Sequence, residues 1–292
     1  MKIKNKIKSL LRVVVTTKNW PTLLFKNSGT AYFKSGLVLK FDNRDLFMDY
    51  VNIFREYPDA KVAGTVLKFP YKNSELKIDF GEWKPNMVGE IFLREVYSNY
   101  LTKEELKDST VVDVGASFGE TAIYFALNGA KKVYGVEPVS SMYKLMENNF
   151  KLNNLTDKCI PVFGALGGWT GSFLEDKNAK KIFWEKHWED LKETPVFTLE
   201  NFVEKNGISD GILKLDCEGY EKDIILNTTK QALRKFKRIV AEYHYGFTEI
   251  ENKLKESGFS VSIEAGSPHL DVGRAKDFQN LETGFISALR ID

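Results

Sequence analysis

Two stretches of the chain end apolar runs on an acid and follow it with glycine. "VVDVGASFGETA" carries Asp113, Gly115 and Gly119, and "VYGVEP" closes on Glu137. Farther on, "ILKLDCEGYE" sets Asp216 and Glu218 before Gly219, and "VAEYHY" adds Glu242 and His244. An acid that ends the second strand of a nucleoside-binding unit is placed to accept two hydrogen bonds from ribose hydroxyls. An acid beside the glycine loop would repel phosphate and attract a cation. "GASFG" lacks the third glycine of G-x-G-x-x-G, and no G-K-[ST] is present, so close approach of a pyrophosphate is poorly provided for.

A ribose at Glu137 and an ammonium or sulfonium near Asp113 describe S-adenosylmethionine better than NAD. Methyl transfer from a sulfonium needs a nucleophile held in line. A hydroxyl nucleophile also needs its proton removed. Glu218, Glu242 and His244 are the candidates, with alternation along the strand pointing Glu242 and His244 to one side. A second route has Asp216, Glu218 and His244 gather a divalent ion that lowers the acceptor's pKa. Lys214 reads as a structural partner for one of these acids.

These residues need a scaffold that brings strand ends together. From Ser109 onward short apolar strands alternate with amphipathic helices, which predicts a mostly parallel, doubly wound α/β sheet. Strands are expected at Thr110–Val114, Lys132–Val136, Cys159–Phe163, Gly211–Asp216, Arg238–Tyr243 and Phe259–Ile263, with a seventh near Phe285–Leu289. No crossover helix is evident before the seventh, so an antiparallel edge strand is expected. A helix over Ser140–Leu152 would take Ser140 as its N-cap and bury Met142, Leu145, Met146 and Asn149. Residues 1–89 form a basic segment and a small α+β extension: "GTAYFKSGLVLKF" reads as strands around a turn at Lys34–Gly36, "RDLFMDYVNIFREYP" as a helix, "SELKIDF" as a strand. "GEIFLREVYSNYL" reads as a helix opening the main domain, 90–292.

In order and spacing, "VVDVGASFGETA", "VYGVEP", "FGALGG", "TLENF", "ILKLDCEGYEKDII" and "IVAEYHY" resemble the FkbM-type class I S-adenosylmethionine-dependent methyltransferases, over roughly Glu90 to Arg290. The resemblance implies a Rossmann-like seven-stranded fold and methylation of a hydroxyl on a sugar-like or natural-product acceptor. It implies that Asp113, Gly115, Ala116 and Ser117 frame the methionine part, Glu137 the ribose, and Ala165 with Leu166 the adenine. Phe118, Gly119, Pro138 and Asp216 would also bind the cofactor, and Asp216 and Glu218 would face the transfer site.

The net charge of +2 hides an uneven distribution, since Met1–Lys26 holds seven cations and no acid. The remainder is mildly acidic, which makes a nucleic-acid partner unexpected. Ile3, Ile7, Leu10, Leu11 and Val14 fall near helical spacing in that basic tip. The helix either docks on its own domain or makes weak peripheral contact with an anionic membrane. No run is long and apolar enough to span a bilayer. Cys159 and Cys217 have no metal-type spacing and read as free thiols, one inside a central strand, which suggests a cytoplasmic setting. Between the third and fourth strands an insert concentrates Trp169, Phe173, Phe183, Trp184, His187 and Trp188, either as a lid that stacks on a sugar or as a self-packed hairpin. Alternatives are an RNA or tRNA base methyltransferase, given "ENNFKLNNL", and a cofactor-binding scaffold without catalysis. Against the first, the loop after strand four reads "DCEGYE" rather than N-P-P-Y. The pattern leaves the acceptor, metal dependence and oligomeric state open.

Overall fold

The computed structural model describes residues 2–82, 85–172, 188–191, 193–266 and 283–291. It divides into two units, Met1–Asn99 and Tyr100–Asp292. In the first, α1 (Lys2–Thr16) precedes β1 (Gly29–Tyr32) and β2 (Val38–Phe41), an antiparallel hairpin around the expected turn. In α2 (Arg44–Glu56) the Asn43 side chain accepts from the Asp45 N–H, and the apolar stripe buries Phe47, Tyr50, Val51, Ile53 and Phe54. Phe41 stacks on Phe47 with centroids 4.7 Å apart. The first helix docks on the second: Val13 is fully buried, and Arg12 donates to Asn52 at 2.9 Å. Strands β3 (Lys61–Ala63), β4 (Val66–Tyr71) and β5 (Ser74–Asp79) form an antiparallel sheet. Alternation turns Leu67, Phe69 and Tyr71 inward.

The continuous helix expected over "GEIFLREVYSNYL" is broken. A short α3 (Asn86–Val88) runs into a π-turn at Gly89–Leu93, and a 3₁₀ turn covers Val96–Asn99. Between them Glu95 has φ +45°, outside the right-handed helical region, so the helix cannot continue through it. Phe92 packs edge-on against Phe69 and Tyr71 at 5.5 and 5.1 Å. Those contacts pack Phe92 within the first unit.

The second unit begins with α4 (Lys103–Leu106), where Thr102 and Glu105 form a reciprocal capping box. Then follow β6 (Thr110–Val114), α5 (Glu120–Leu127), β7 (Lys132–Glu137), α6 (Ser140–Leu152) and β8 (Cys159–Phe163). Three short strands, β9 (Ala165–Leu166), β10 (Gly171–Ser172) and β11 (Pro195–Phe197), make a separate small sheet. Helices α7 (Trp188–Leu191) and α8 (Leu199–Lys205) flank β11. The chain continues through β12 (Gly211–Leu215), α9 (Glu221–Asn227), α10 (Lys230–Leu233), β13 (Phe236–Tyr243), α11 (Thr248–Glu256), β14 (Phe259–Ala265) and β15 (Gly284–Arg290).

The main sheet has the order β14-β15-β13-β12-β6-β7-β8, a Rossmann-like arrangement in which β15 alone runs antiparallel. That strand lies one place in from the edge, with β14 outside it. Cys159 sits on β8, the opposite edge, rather than in a central strand; it is buried all the same. Parallel strands covered on both faces need continuous apolar runs, and Ile212, Leu213, Leu215, Ile239 and Val240 are all fully buried. In α6, Val139 occupies the N-cap and Ser140 is already helical, with no side-chain cap bond. Glu137 accepts the Val139 N–H, so the turn at Pro138 starts the helix one residue early.

Candidate active site

Sequence order reverses between β6 and β12, and the loops at their carboxyl ends meet there. Gly115 takes φ +74°, and a Cβ on it would lie 1.8 Å from the Asp216 carbonyl oxygen. Only glycine lets these two loops touch. The amides of Gly115 and Ala116 both donate to the Val136 carbonyl, at 3.0 and 3.1 Å, which draws the loop towards β7. Gly119 has φ +88°, and a Cβ there would strike Phe150 at 2.8 Å and Met146 at 2.9 Å. Ser117, between them, is also left-handed at φ +50°.

Glu137 ends β7 beneath this loop. One carboxylate oxygen accepts the Ser117 N–H at 2.8 Å and the other the Val139 N–H at 2.9 Å. Burial pushes its pKa up to about 7, with the two amides pulling the other way. Each oxygen retains lone-pair capacity. Phe118 lies in the core, with only its backbone at the loop, where its carbonyl accepts from Asn149 at 2.8 Å.

Asp113 does not stand at the loop as expected. It lies within β6, wholly buried, and its carboxylate meets Lys214 Nζ at 2.8 Å. Lys214 also donates to the carbonyls of Val114 and Gly115, at 3.3 and 3.0 Å. The structural-partner reading of Lys214 thus holds, and Asp113 supports the loop through that ammonium. Burial pushes the Asp113 carboxyl up while Lys214 opposes it. For Lys214, burial works against the charge, but Asp113 and Asp216 outweigh it and raise the ammonium's pKa.

Sequence reasoning missed Glu120, the first residue of α5 after the Gly119 turn. It is buried, and among the described residues its Oε2 has no hydrogen-bond partner. Burial pushes its pKa up to about 8. The available signal was an acid opening the otherwise apolar helix "ETAIYFAL".

The second acidic group gathers where β12 and β13 end. His244 Nδ1 lies 3.3 Å from Glu221 Oε1, and Nε2 lies 3.5 Å from Glu218 Oε2. Asp216, Glu221 and His244 each bring one donor atom within 4.8 Å of the others. Sequence reasoning grouped Glu218 with Asp216 and His244 and overlooked Glu221. That residue, buried at the first position of α9, accepts the N–H of Cys217 at 2.6 Å and of Gly219 at 3.0 Å. Burial disfavours its charge, yet His244 and the amides hold its pKa below the usual range. Burial also opposes the imidazolium, but Glu221, Asp216 and Glu218 push His244 up to about 10. Glu218, at φ +56° in the turn, is half-buried like Asp216, whereas Glu221 is buried; burial and then Asp216 raise Glu218 to about 7.

Glu242 lies within β13, two residues before His244. His244 lies beyond the end of β13, so strand alternation does not extend to it, and the charge of Glu242 acts on Tyr100. Ala165 packs with Val139, Leu191 and Val196, with Trp169 and Tyr220 at the margin, while Leu166 points into the main core. Pro138 fixes this corner through its carbonyl, which accepts from Thr194 at 3.0 Å. Of the aromatic insert, Phe173, Phe183, Trp184 and His187 lie outside the described residues, as does the Trp188 side chain.

The profile of the Methyltransferase FkbM domain matches residues 113–261, just over half of the chain. The chain belongs to the FkbM methyltransferase family. This is a family of S-adenosylmethionine-dependent methyltransferases, and the matched span starts at Asp113 and includes both acidic groups. No curated protein matches this FkbM chain. Among solved structures it is similar to Methanocaldococcus jannaschii Trm5 in complex with adenosine, at 15% identity over 80% of this chain and 57% of that one, TM-score 0.41. It is similar to M. jannaschii TYW2 in complex with AdoMet at 16% identity, over 79% of this chain and 89% of that one, TM-score 0.40. The FkbM methyltransferase of Methylobacillus flagellatus KT gives 15% identity over 62% of this chain and 44% of its own, TM-score 0.43. The FkbM chain therefore spans little more than half of the first of these proteins and less than half of the last.

Proposed function

We propose that this methyltransferase acts on a hydroxyl oxygen of a small-molecule or glycan acceptor, with Glu218 removing the proton. The observation that carries the reading is the position of Glu218, in the turn after β12 on the loop that touches Gly115, with Oε2 3.5 Å from His244 Nε2. A carboxylate with pKa near 7 is matched to taking a proton at neutral pH. His244, raised to about 10, is already protonated there and makes a poor base.

S-adenosylmethionine, when bound, supplies a methyl group on a sulfonium centre. The residues present suit it. Glu137 keeps acceptor capacity for ribose hydroxyls on both oxygens. Glu120, held largely protonated by its burial, presents a buried oxygen with no hydrogen-bond partner among the described residues, a polar atom that a ligand at the Ser117 loop can satisfy. Gly115, Ala116, Ser117 and Gly119 offer a loop free of bulky projecting side chains, and Ala165 with Val139 offers an apolar wall for adenine. At the other loop, Asp216 and Glu218 orient the acceptor hydroxyl. Its proton passes to Glu218 as its oxygen takes the methyl group. His244 stays charged throughout, held by Glu221, and steadies the Glu218 carboxylate.

The imidazolium already provides a cation among Asp216, Glu218 and Glu221, so the proposed chemistry proceeds without a divalent metal. Residues 100–292 carry a formal charge of −5, which favours a compact acceptor over a nucleic acid. Both cysteines are free, which suits a cytoplasmic setting. Calorimetric titration tests the cofactor assignment: the protein should bind S-adenosylmethionine and its demethylated product. Tight binding of NAD with no binding of the methyl donor contradicts it.

A further inference from the structure

The N-terminal unit concentrates two features that the methyl-transfer site does not use. The first is charge. Residues 1–99 hold seventeen Lys and Arg against ten Asp and Glu, a formal charge of +7 opposite in sign to the rest of the chain. The second is exposed apolar surface. Six large hydrophobic side chains between residues 11 and 38 stand in solvent: Leu11 (58%), Val15 (53%), Trp20 (36%), Phe25 (86%), Tyr32 (48%) and Val38 (57%). Leu11 and Val15 are one helical turn apart, on the side of α1 away from buried Val13. Tyr32 and Val38 are direct cross-strand partners in the hairpin, and Lys18 lies with them along one shallow groove. The Lys18 amide donates to the Tyr32 carbonyl at 2.7 Å and the Lys34 amide to the Thr16 carbonyl at 2.9 Å, so the helix end and the hairpin form one continuous surface.

Val15 and Lys34 also line a wide cleft of about 1120 Å³ in which Arg55, Lys61, Lys68 and Lys72 outnumber the acids Asp59 and Glu75. Lys61 and Lys68 face each other in register across β3 and β4. Like charges directly opposite on neighbouring strands repel, and an anion between them relieves that cost. Exposed Val15 and the cationic side chains share that cleft, so apolar and basic surface adjoin there, which suits a partner that is apolar beneath an anionic surface.

We propose that this face docks on an anionic phospholipid bilayer. Leu11, Val15, Trp20 and Phe25 enter the interface, where aromatic side chains favour the headgroup level. Lys18, Lys34, Lys61 and Lys68 meet lipid phosphates. Each basic residue near such a surface adds an attraction that salt screens. No described helix is long and apolar enough to cross a membrane. The contact is therefore peripheral and reversible.

Flotation of the full chain with phosphatidylcholine vesicles, with and without 30 mol% phosphatidylglycerol as the probe composition, tests this. The expected result is binding to the anionic vesicles only, lost as salt is raised. The double substitution Trp20→Ser, Phe25→Ser should weaken it at least tenfold while leaving melting temperature and methyl-donor affinity unchanged. A second variant, Lys61→Gln, Lys68→Gln, should weaken it through the cationic arm. Absence of flotation, or equal flotation by the Trp20/Phe25 variant, overturns the proposal. So does a patch that only closes a dimer, seen as a dimer by light scattering that the same variant dissolves. Full displacement by millimolar inorganic phosphate, or a single-stranded oligonucleotide bound more tightly than vesicles, overturns it in favour of a soluble anion or a nucleic acid. All these readouts are independent of methyl transfer.

Discussion

Glu221 Oε1 lies 3.3 Å from Nδ1 of His244, and the same carboxylate holds the amides of Cys217 and Gly219 in the loop after β12. One buried acid thereby sets both the shape of the loop that carries Glu218 and the charge of the imidazole beside it. Glu221→Gln should keep the hydrogen-bonding shape and lose the charge. The His244 pKa, followed by NMR in a chain with only three histidines, should then fall from about 10 towards the ordinary value near 6.5. An unchanged His244 titration would separate the two residues.

Glu218→Gln should lower turnover by about 10²-fold while donor affinity stays within a factor of two, because general-base catalysis is typically worth that much. Steady-state kinetics beside calorimetry measure the two quantities. Equal loss of donor affinity would make Glu218 a binding residue instead.

The base must be ionised, so the rate should rise with pH through an apparent pKa near 7. Asp216 raises that value and His244 lowers it. Asp216→Asn should therefore move the acidic limb to lower pH, and His244→Asn to higher pH. Shifts in the same direction would show that the limb belongs to another group. His244 also links to stability: its folded pKa is raised, so its contribution is fully present below about pH 6.5 and is lost as pH rises through about 10. Denaturant titrations between pH 7 and 10 should show that decline, and His244→Asn should flatten it.

Lys214→Met leaves the Asp113 carboxylate buried without its partner and frees two loop carbonyls. Breaking one side of such a pair costs about 3–5 kcal/mol. The double substitution Asp113→Leu, Lys214→Met should recover a large part of that loss in urea unfolding. No recovery would mean that Lys214 acts mainly through the Val114 and Gly115 carbonyls.

Glu137→Ala removes the expected ribose acceptor and also releases the Ser117 and Val139 amides. Hydrogen bonds to charged groups are worth about 1.5–3 kcal/mol, so donor affinity should fall roughly tenfold to a hundredfold. Calorimetry with S-adenosylmethionine reads it directly. Unchanged affinity would take Glu137 out of the cofactor site.

Much of this scaffold was legible because parallel strands must be apolar on both faces. The runs at Thr110–Val114 and Cys159–Phe163 could be bounded to the residue, as could the 3.6-residue pattern of Ser140–Leu152. Side-chain partners were less legible. Asp113 sits in β6 one residue before its carboxyl end, and nothing local says that its charge turns to Lys214 on the neighbouring strand. Glu221 reads as an ordinary helix-start acid until the Gly219 turn folds it under the loop. The alternation that would point Glu242 and His244 to one side does not reach His244, because β13 ends at Tyr243.

The most direct test of hydroxyl methylation follows an isotope-labelled methyl group. Cells carrying the wild-type chain, Glu218→Gln, or no copy are supplied with labelled methyl donor precursor, and their metabolites and glycans are profiled. The account predicts a labelled methoxy group present with the wild type and strongly reduced with Glu218→Gln. Label appearing on a nucleobase nitrogen, or at equal levels in all three, would contradict it.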